Sequence, residues 1–245
     1  MNIINFSGGR TSAYMTKRLI DEGLKDYLVT FQNTGKELPQ TLDFINDCDI
    51  KWNLKIVWLE YRKPNSFEVV TYQTASRDSR PFNELLDHKK TLPNLQFRYC
   101  TLELKIKTLK RYLKSIGITD FISYNGIRYD EPRRWSKTPG DVILPCVKWK
   151  VIKKDIIEFW QKQDFDLKLK EPYGNCDLCF LKGKSKLSII ANEKPDLFNW
   201  WIEKENLTGY QFKKEITYNQ LLEKSKNQLG LFDNDPEFEC FCNID

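Results

Sequence analysis

The first residues that could do chemistry form a short glycine loop near the start of the chain, SGGRTS at positions 7–12. Its two glycines allow backbone N–H groups to turn inward and approach an anion closely. Ser7, Thr11 and Ser12 add hydroxyl donors, and Arg10 can neutralise charge. The loop stands between a strand-like and a helix-like segment, so a helix dipole would strengthen the attraction. This composition predicts a phosphate cradle, although the loop matches neither the GxGxxG fingerprint nor a Walker A loop.

The cysteines are the second candidate for chemistry. Cys176 and Cys179 form a CxxC chelate, and Cys100 and Cys146 are predicted to complete it. Four thiolates suit either Zn²⁺ or a [4Fe–4S] cluster, and both readings remain open. The single histidine, His88, excludes HExxH proteases and multi-histidine zinc sites.

Composition places the chain among folded proteins with reduced thiols. The 245 residues are 40% hydrophobic, 13% aromatic and carry a net charge of +5 with interleaved signs. The N-terminal residues do not resemble a signal peptide, and no apolar run reaches about 18 residues. We therefore expect a cytoplasmic protein without membrane contact, in which seven cysteines favour metal, iron–sulfur or redox work over structural disulfides.

Strand-like and helix-like segments alternate along the chain, and these elements must position the candidate residues. Strands are predicted at 2–6, 27–31, 55–61 and 121–126, and helices at 11–23, from Pro39, at 103–117 and at 153–163. This order predicts an α/β fold, a Rossmann-like parallel sheet covered by helices. A smaller, mainly helical C-terminal lobe is predicted to follow, with domains at 1–170 and 171–245.

Several local features carry more specific predictions. Thr11 or Ser12 is expected to cap the first helix, and Cys48 is expected in the core. Residues 66–80 are polar and are predicted to form a mobile segment over the site. The helix at 103–117 is predicted to be amphipathic, with an apolar face made of Leu104, Ile106, Leu109, Leu113 and Ile116.

The carboxyl ends of the predicted strands gather further polar residues. Asn33, Thr34 and Gly35 follow the second strand, and the sequence Gly126-Ile127-Arg128 follows the fourth. Parallel strands end at the same edge of a sheet, so both loops should open beside the glycine loop. Arg128 suits a phosphate or sulfate oxygen, and Asp130 could take a Mg²⁺ ion.

Six segments, in order, resemble motifs of the phosphoadenosine-phosphosulfate (PAPS) reductases, a family within the PP-loop ATP pyrophosphatases. They are SGGRTS, FQNTGKELPQTLDF (31–44), RYCT with LK (98–105), GIRYDEPRR (126–134), PCVKWKVIKKDIIEFW (145–160) and CDLCF (176–180). Two departures stand out. Arg10 and Thr11 replace the Lys-Asp often seen in ATP-using members, and Tyr99-Cys100 replaces the adjacent Cys-Cys pair of the usual reductase.

The resemblance implies a fold of the adenine nucleotide α-hydrolase type that binds ATP or an adenylylated sulfate. By this resemblance, phosphate or sulfate would bind Ser7, Gly8, Gly9 and Ser12. The nucleotide pocket would be lined by Asn33, Thr34 and Gly35. Arg128 and Asp130 would face the same cleft. In many members, a cysteine at the Cys100 motif and a later CxxC ligate an iron–sulfur cluster.

Three functions remain open at this stage. In the first, ATP with Mg²⁺ adenylylates an acceptor oxygen and a sulfur or other nucleophile then displaces AMP; a nucleic acid could be that acceptor. In the second, a Cys240 thiolate attacks the sulfur of PAPS or adenylyl sulfate. A thioredoxin-like donor then releases sulfite, and Cys242 could act as the resolving partner of Cys240. The third is a zinc-bearing nucleic-acid-binding module without catalysis, using the basic helix 103–117 and the aromatic stretch 198–210.

Overall fold

A computed structural model describes residues 1–174 and 176–227 of the chain. Within these ranges it has six strands: β1 (Asn2–Asn5), β2 (Tyr27–Asn33), β3 (Val57–Arg62), β4 (Ser66–Val70), β5 (Ile122–Asn125) and β6 (Val142–Ile143). The α-helices of the same ranges are α1 (Arg10–Asp21), α2 (Pro39–Trp52), α3 (Arg80–Lys89), α4 (Thr108–Ser115), α5 (Pro132–Trp135), α6 (Pro145–Lys148), α7 (Lys153–Trp160), α8 (Lys184–Glu193), α9 (Phe198–Thr208) and α10 (Tyr218–Asn227). A π-helix, Thr101–Lys107, runs directly into α4, and a 3-10 turn, Pro195–Leu197, precedes α9.

The six strands form one sheet in the order β4-β3-β2-β1-β5-β6. Neighbours pair in parallel except β3 and β4, which are antiparallel. The α/β prediction is therefore confirmed, as is the expectation that the loops after β1, β2 and β5 open at one edge. The strand order reverses between β1 and β5, and such a switch point is where open parallel sheets form their ligand crevice.

Alternate residues of the strands face two different layers of helices. Ile4, Val29 and Phe31 point into a core that also holds residues of α1, α2 and α7. Ile3 and Leu59 point the other way and pack against α4. Since successive side chains of a strand face opposite sides, apolar residues at consecutive positions of β1 require helices on both faces.

A third apolar cluster joins the C-terminal helices to the α/β part. Phe82 of α3 and Leu104 of the π-helix pack with residues of α8, α9 and α10, including Trp201 and Tyr218. This cluster crosses the proposed boundary at residue 170, which stays a prediction. No helix of the described ranges is long and apolar enough to cross a membrane.

The prediction of a mobile polar segment at 66–80 was wrong in its first part. Residues Ser66–Val70 form β4, an edge strand paired along its length with β3. The cap prediction was also wrong, because Gly9 occupies the N-cap of α1 and no side chain caps that end. The expected core position of Cys48 is confirmed.

The amphipathic helix predicted at 103–117 is two elements with different periods. Leu104, Leu109 and Leu113 are buried as expected, but Ile106 is 45% exposed and Ile116 is 46% exposed. The π-helix adds residues to each turn relative to an α-helix, so the apolar stripe shifts between its two halves. Glu103 takes one of the buried positions instead.

Candidate functional site

The loop after β1 is shaped by two glycines and closed by serine hydrogen bonds. Gly8 has a positive φ of 84°, a conformation that side chains rarely adopt, and Gly9 begins α1. The Ser12 hydroxyl accepts hydrogen bonds from the Ser7 amide (3.2 Å) and the Ser7 hydroxyl (3.0 Å), and donates to the Gly9 carbonyl (2.9 Å). Because no side chain caps α1, the first-turn N–H groups remain directed at the loop.

Neighbouring elements press against this loop at two glycines. A Cβ on Gly8 would lie 2.7 Å from the Thr41 methyl carbon of α2. A Cβ on Gly126, after β5, would lie 2.9 Å from the Ser12 Cα. Either side chain would force backbone or packed atoms to move, so these glycines allow α1, α2 and the β5 loop to meet at one point.

Two buried hydroxyl groups beside the loop have no hydrogen-bond partner among the described residues. They belong to Thr11, in the first turn of α1, and to Thr41, whose methyl group touches Gly8. Both side chains are almost wholly buried. Buried polar groups are nearly always paired in native proteins, so these two hydroxyl groups are hydrogen-bonding capacity that the described residues leave unused beside the loop.

Arg10 does not point toward the loop as expected. Its Nε and Nη2 atoms bind the two carboxylate oxygens of Asp166 at 2.7 and 2.8 Å, and Nη2 also donates to the Leu167 carbonyl at 2.6 Å. A guanidinium fork matches a carboxylate in this two-bond geometry, which holds the side chain against the segment after α7. This corrects the expectation that Arg10 balances the charge of a bound anion.

The loop after β5 places Arg128 in a buried position surrounded by acids. Its Nε donates to Asp130 (2.8 Å), its backbone amide donates to Glu131 (2.9 Å), and its Nη1 lies 3.8 Å from Glu131. The second Asp130 oxygen accepts the backbone amide of Lys153 (3.0 Å), at the start of α7. Both Asp130 oxygens are therefore engaged, and the residue orients Arg128 and α7; its expected role as a Mg²⁺ ligand stays a prediction.

The loop after β2 is held by a buried network. The Asn33 amide donates to Glu60 of β3 (2.6 Å) and to the Ser76 carbonyl (2.9 Å), and its oxygen accepts the Gly35 amide (3.1 Å). Glu60, fully buried, also accepts from the Ser76 amide, the Ser76 hydroxyl and Arg62. The Asn33 side chain therefore makes its hydrogen bonds to other groups of the protein. A Cβ on Gly35 would lie 3.0 Å from the Ser79 Cα.

Thr34 is bound to a buried carboxyl group in the same loop. Its amide and its hydroxyl both donate to Glu37, at 2.9 and 2.8 Å. Burial raises the pKa of Glu37, against the opposing effects of Lys105 and the hydrogen bonds from Thr34. The Thr34 hydroxyl also lies 4.0 Å from the Cys176 sulfur.

The β2 loop docks onto the CxxC loop. Glu37 pairs with Cys176 in an isolated antiparallel bridge, and the Asp177 amide donates to the Lys36 carbonyl (2.8 Å). The Lys36 ammonium binds the Asp177 carboxylate at 2.8 Å, with both side chains less than a tenth exposed. Trp201 donates to the same carboxylate (3.0 Å). The thiols are thereby fixed to the carboxyl edge of the sheet.

Three of the four predicted ligand cysteines line one small cavity, and the fourth does not. Cys100, Cys176 and Cys179 share this cavity with Thr34, Arg98 and Lys105. Cys146, in α6, lies instead in the core beneath α1 and α7, where burial raises the pKa of its thiol to about 12.

Cys146 does not line this cavity, so the structure does not bring the four predicted ligands together, and its assignment as the fourth ligand stays a prediction without support from the packing. Among the described residues no three His, Cys, Asp or Glu side chains are disposed to hold a metal ion. Cys240 and Cys242 lie outside the described residues.

Two features of the site were missed from the sequence. Glu60 interrupts the apolar segment KIVWLEY, and a lone acid in a buried strand was the available signal. Thr41 follows Pro39 at the start of α2, but only the packing against Gly8 brings it to the loop.

Comparison with known proteins gave relatives without a stated activity. No family model matches the chain. The uncharacterised nin region protein ORF290 of Escherichia phage lambda is 30% identical over 237 residues, which cover 89% of this chain and 80% of that protein.

Two uncharacterised proteins of Methanocaldococcus jannaschii, MJ0973 and MJ0066, are each 24% identical, over 223 and 234 residues. The aligned parts cover 84% and 87% of this chain but only 48% and 45% of those proteins, so the chain spans about half their length.

Proposed function

This chain belongs to the family of the nin region protein ORF290 of Escherichia phage lambda, and we propose that it is a nucleotide-dependent enzyme of the PP-loop type. The ligand is an adenine nucleotide, ATP or a sulfonucleotide, whose phosphate or sulfate oxygens bind the loop of residues 7–12. The reaction takes place at that phosphate or sulfate group. The resemblance to the PAPS reductases, from motifs in the sequence, supplies the class of ligand.

The observation that carries the proposal is the glycine loop at the sheet's switch point. An uncapped α1, a positive φ at Gly8 and the unmet hydroxyl of Thr11 coincide there. Helix N-termini with exposed N–H groups attract anions, and the buried hydroxyl offers a hydrogen bond that a phosphate oxygen could accept. Arg128 follows two residues after Gly126, whose Cβ would meet Ser12, but Asp130 and Glu131 already pair with it, so the proposal does not depend on its charge.

With ATP, the chemistry would proceed in two displacements. An oxygen of the acceptor attacks the α-phosphorus, and pyrophosphate leaves with the electron pair of the broken bond. A sulfur or other nucleophile then attacks the acceptor carbon that bears the adenylylated oxygen. The bond between that carbon and the oxygen breaks, and AMP leaves with the oxygen and the electron pair. The α1 amides would bind the pyrophosphate. Since Asp130 is occupied by Arg128 and α7, Mg²⁺ would be held mainly by phosphate oxygens and water.

The proposal extends to a thiolate-ligated centre at the cavity that Cys100, Cys176 and Cys179 line. These side chains are not disposed to hold a metal ion as they stand, so binding would require them to move closer together. Cys100, Cys176 and Cys179 would hold the metal or cluster, and Arg98 and Lys105 would offset the thiolate charge. Zinc bound in this way would provide a Lewis acid with an open position, and a [4Fe–4S] cluster would provide an iron with one open position. The zinc ion and the [4Fe–4S] cluster are both alternatives within the proposal.

Nucleotide binding is tested by calorimetric titration with ATP, adenylyl sulfate and PAPS, each with and without Mg²⁺. We expect Gly126→Ala to weaken binding at least about tenfold, because its methyl group would displace the start of α1. Gly140→Ala is the matched control, since a Cβ there meets nothing within 4 Å. If Gly126→Ala does not fold, Ser12→Ala replaces it as the test of nucleotide binding by the loop. Wild-type protein that binds none of the three nucleotides would refute the proposal.

The same titration separates the two nucleotide classes. Preference for ATP, followed by release of pyrophosphate, would favour adenylylation. Preference for a sulfonucleotide, with sulfite released by a dithiol reductant, would favour the reductase reaction with Cys240 as nucleophile.

Metal and iron analysis of anaerobically purified variants tests the thiol centre. We expect Cys176→Ser to lose the bound metal or cluster. Cys146→Ser is the matched control and should retain it, because that thiol lies in a different core. Retention of metal by both variants, or its absence from the wild-type protein, would contradict the three-cysteine site.

A further inference from the structure

The positive charge of the chain is concentrated in one segment. Residues 88–118 contain eight Lys and Arg against one Glu, a net charge of +7, whereas the whole chain carries +5. The remaining residues together therefore carry −2. Such asymmetry is a typical footprint of a surface that binds a polyanion.

The single acid of this segment is turned inward and neutralised. Glu103 is almost fully buried, and Lys89 (3.1 Å), Lys107 (2.9 Å) and Arg111 (3.2 Å) converge on its carboxylate. Burial alone would raise the pKa of Glu103, but these hydrogen bonds outweigh it and hold that pKa at about 2. The cluster fixes α3, the π-helix and α4 together and keeps an excess of positive charge.

The outward side of these elements has basic side chains, three of them exposed, and exposed apolar side chains. Lys90, at the end of α3, and Lys110 and Lys114, one turn apart on α4, are exposed. Lys107 and Arg111 are partly buried and bind Glu103. We call these five residues the basic stripe. Leu102, Ile106 and Phe97 lie on the same segment and are exposed, Phe97 by 68%.

Phe97 is an exposed ring on an ordered turn. The Asn94 side chain accepts hydrogen bonds from the amides of Gln96 and Phe97, both at 3.0 Å, and the Phe97 carbonyl accepts the Asn94 amide (3.3 Å). Three residues later comes Cys100, which lines the thiol cavity with Arg98 and Lys105. An exposed aromatic ring therefore lies in the same chain segment as the basic stripe and close in sequence to a residue of that cavity.

We propose that the basic stripe and Phe97 bind single-stranded nucleic acid, with phosphates on the lysines and a base stacked on the Phe97 ring. Positively charged grooves with exposed aromatic rings are how proteins hold unpaired strands. An anionic membrane fits less well, because the apolar face of α4, Leu109 and Leu113, is already buried against the sheet. This inference concerns binding and is independent of the nucleotide loop.

The experiment is a fluorescence anisotropy titration of the full chain with a labelled oligothymidylate of about 20 nucleotides, in a series of salt concentrations. We expect the logarithm of affinity to fall linearly with the logarithm of salt, by about 0.7 per phosphate contact. The triple variant Lys90→Glu, Lys110→Glu, Lys114→Glu should weaken binding at least about tenfold and reduce the salt slope by about two.

A matched control makes the same change of charge on the opposite face of the sheet. It combines Lys154→Glu, Lys162→Glu and Lys168→Glu, three exposed lysines in and after α7, and it should bind within about threefold of wild type. Equal losses in both triple variants would overturn the proposal, because net charge alone would explain them. Neither variant changes a residue that binds Glu103, and thermal melting of both variants would test whether they fold.

Phe97→Ala tests the stacking separately. It should weaken the single strand about tenfold with an unchanged salt slope, since no charge is removed. A duplex of the same length that binds more tightly than the single strand would overturn the proposal, as would phosphatidylserine vesicles binding the stripe when the oligonucleotide does not.

The acidic stretch 228–245 is another candidate occupant, with five carboxylates and no Lys or Arg. Nucleic-acid binding that appears only in the full chain carrying Asp233→Asn, Asp235→Asn, Glu237→Gln and Glu239→Gln would assign the stripe to this stretch and overturn the proposal. Failure of ATP and sulfonucleotides to bind would leave this result unaffected, so the two proposals fail separately.

Discussion

The loops after β1 and β2 lie side by side at the same edge of the sheet but differ in how their polar groups are used. In the β1 loop, α1 has no side-chain cap and the Thr11 hydroxyl has no partner among the described residues. In the β2 loop, Asn33 binds Glu60, Ser76 and Gly35, while Thr34 binds Glu37. Both loops were predicted to bind ligand. The difference teaches that loops at the same sheet edge can differ in unused hydrogen-bonding capacity, because the protein itself can occupy that capacity. The β2 loop's role in ligand binding stays a prediction.

The largest expected effect is on the β2 network. Glu60→Ala removes the buried acceptor of Asn33, Ser76 and Arg62, and should lower the free energy of unfolding by about 3–5 kcal/mol. Urea denaturation measures it. Glu68→Ala is the control, because this partly exposed carboxylate also binds Arg62 and should cost about 1 kcal/mol or less. Similar costs for both would mean that the network does not brace the β2 loop.

Gly8→Ala should be the most damaging small change in the β1 loop. A positive φ and a 2.7 Å approach to the Thr41 methyl group together should cost about 2–4 kcal/mol of unfolding free energy. Gly23→Ala has a similar φ of 88° but meets nothing within 4 Å, so it should cost only about 1 kcal/mol. Thermal and urea denaturation compare the two variants. An equal cost would show that packing between α2 and the loop is loose.

A pair of threonine variants tests the contrast between the loops directly. Thr34→Val should cost about 1–3 kcal/mol in stability, because it removes a donor to buried Glu37, and should leave nucleotide affinity unchanged. Thr11→Val should leave stability nearly unchanged and weaken nucleotide binding about tenfold, because its hydroxyl is unpaired in the described structure. Calorimetric titration measures the nucleotide affinity of both variants, and urea denaturation measures their free energy of unfolding. The reverse pattern would move the ligand to the β2 loop.

Arg10→Ala should have the smallest effect. Its ion pair with Asp166 is partly exposed, so the loss of unfolding free energy should be about 1 kcal/mol or less. Nucleotide affinity should stay within about twofold, because the guanidinium is held at Asp166 and Leu167. Asp166→Ala provides the matched partner change. A tenfold loss of nucleotide affinity in Arg10→Ala alone would return Arg10 to the binding site.

Much of the sheet could be predicted because its signals are local. NIINF and YLVTF are apolar segments bounded by turn residues, and Pro39 fixes the start of α2. The error at 66–80 arose because β4 is an edge strand with three exposed residues, one half-buried and one buried, so burial gives no clear alternation in its sequence. The split of helix 103–117 was not predicted because the apolar spacing of the segment does not distinguish α from π hydrogen bonds.

The sequence by itself determined which residue types reach the carboxyl edge of the sheet. Alternation of strands and helices required the SGGRTS, NTG and GIR segments to meet there, since parallel strands end on one side. It also determined the charge excess of residues 88–118.

Only the tertiary structure decided which of these groups keep hydrogen-bonding capacity and which thiols meet. Asp166 engages Arg10, Glu60 engages Asn33, and Cys146 is drawn into a different core from Cys176. These outcomes depend on partners far away in the chain, and short-range patterns carry no information about such contacts.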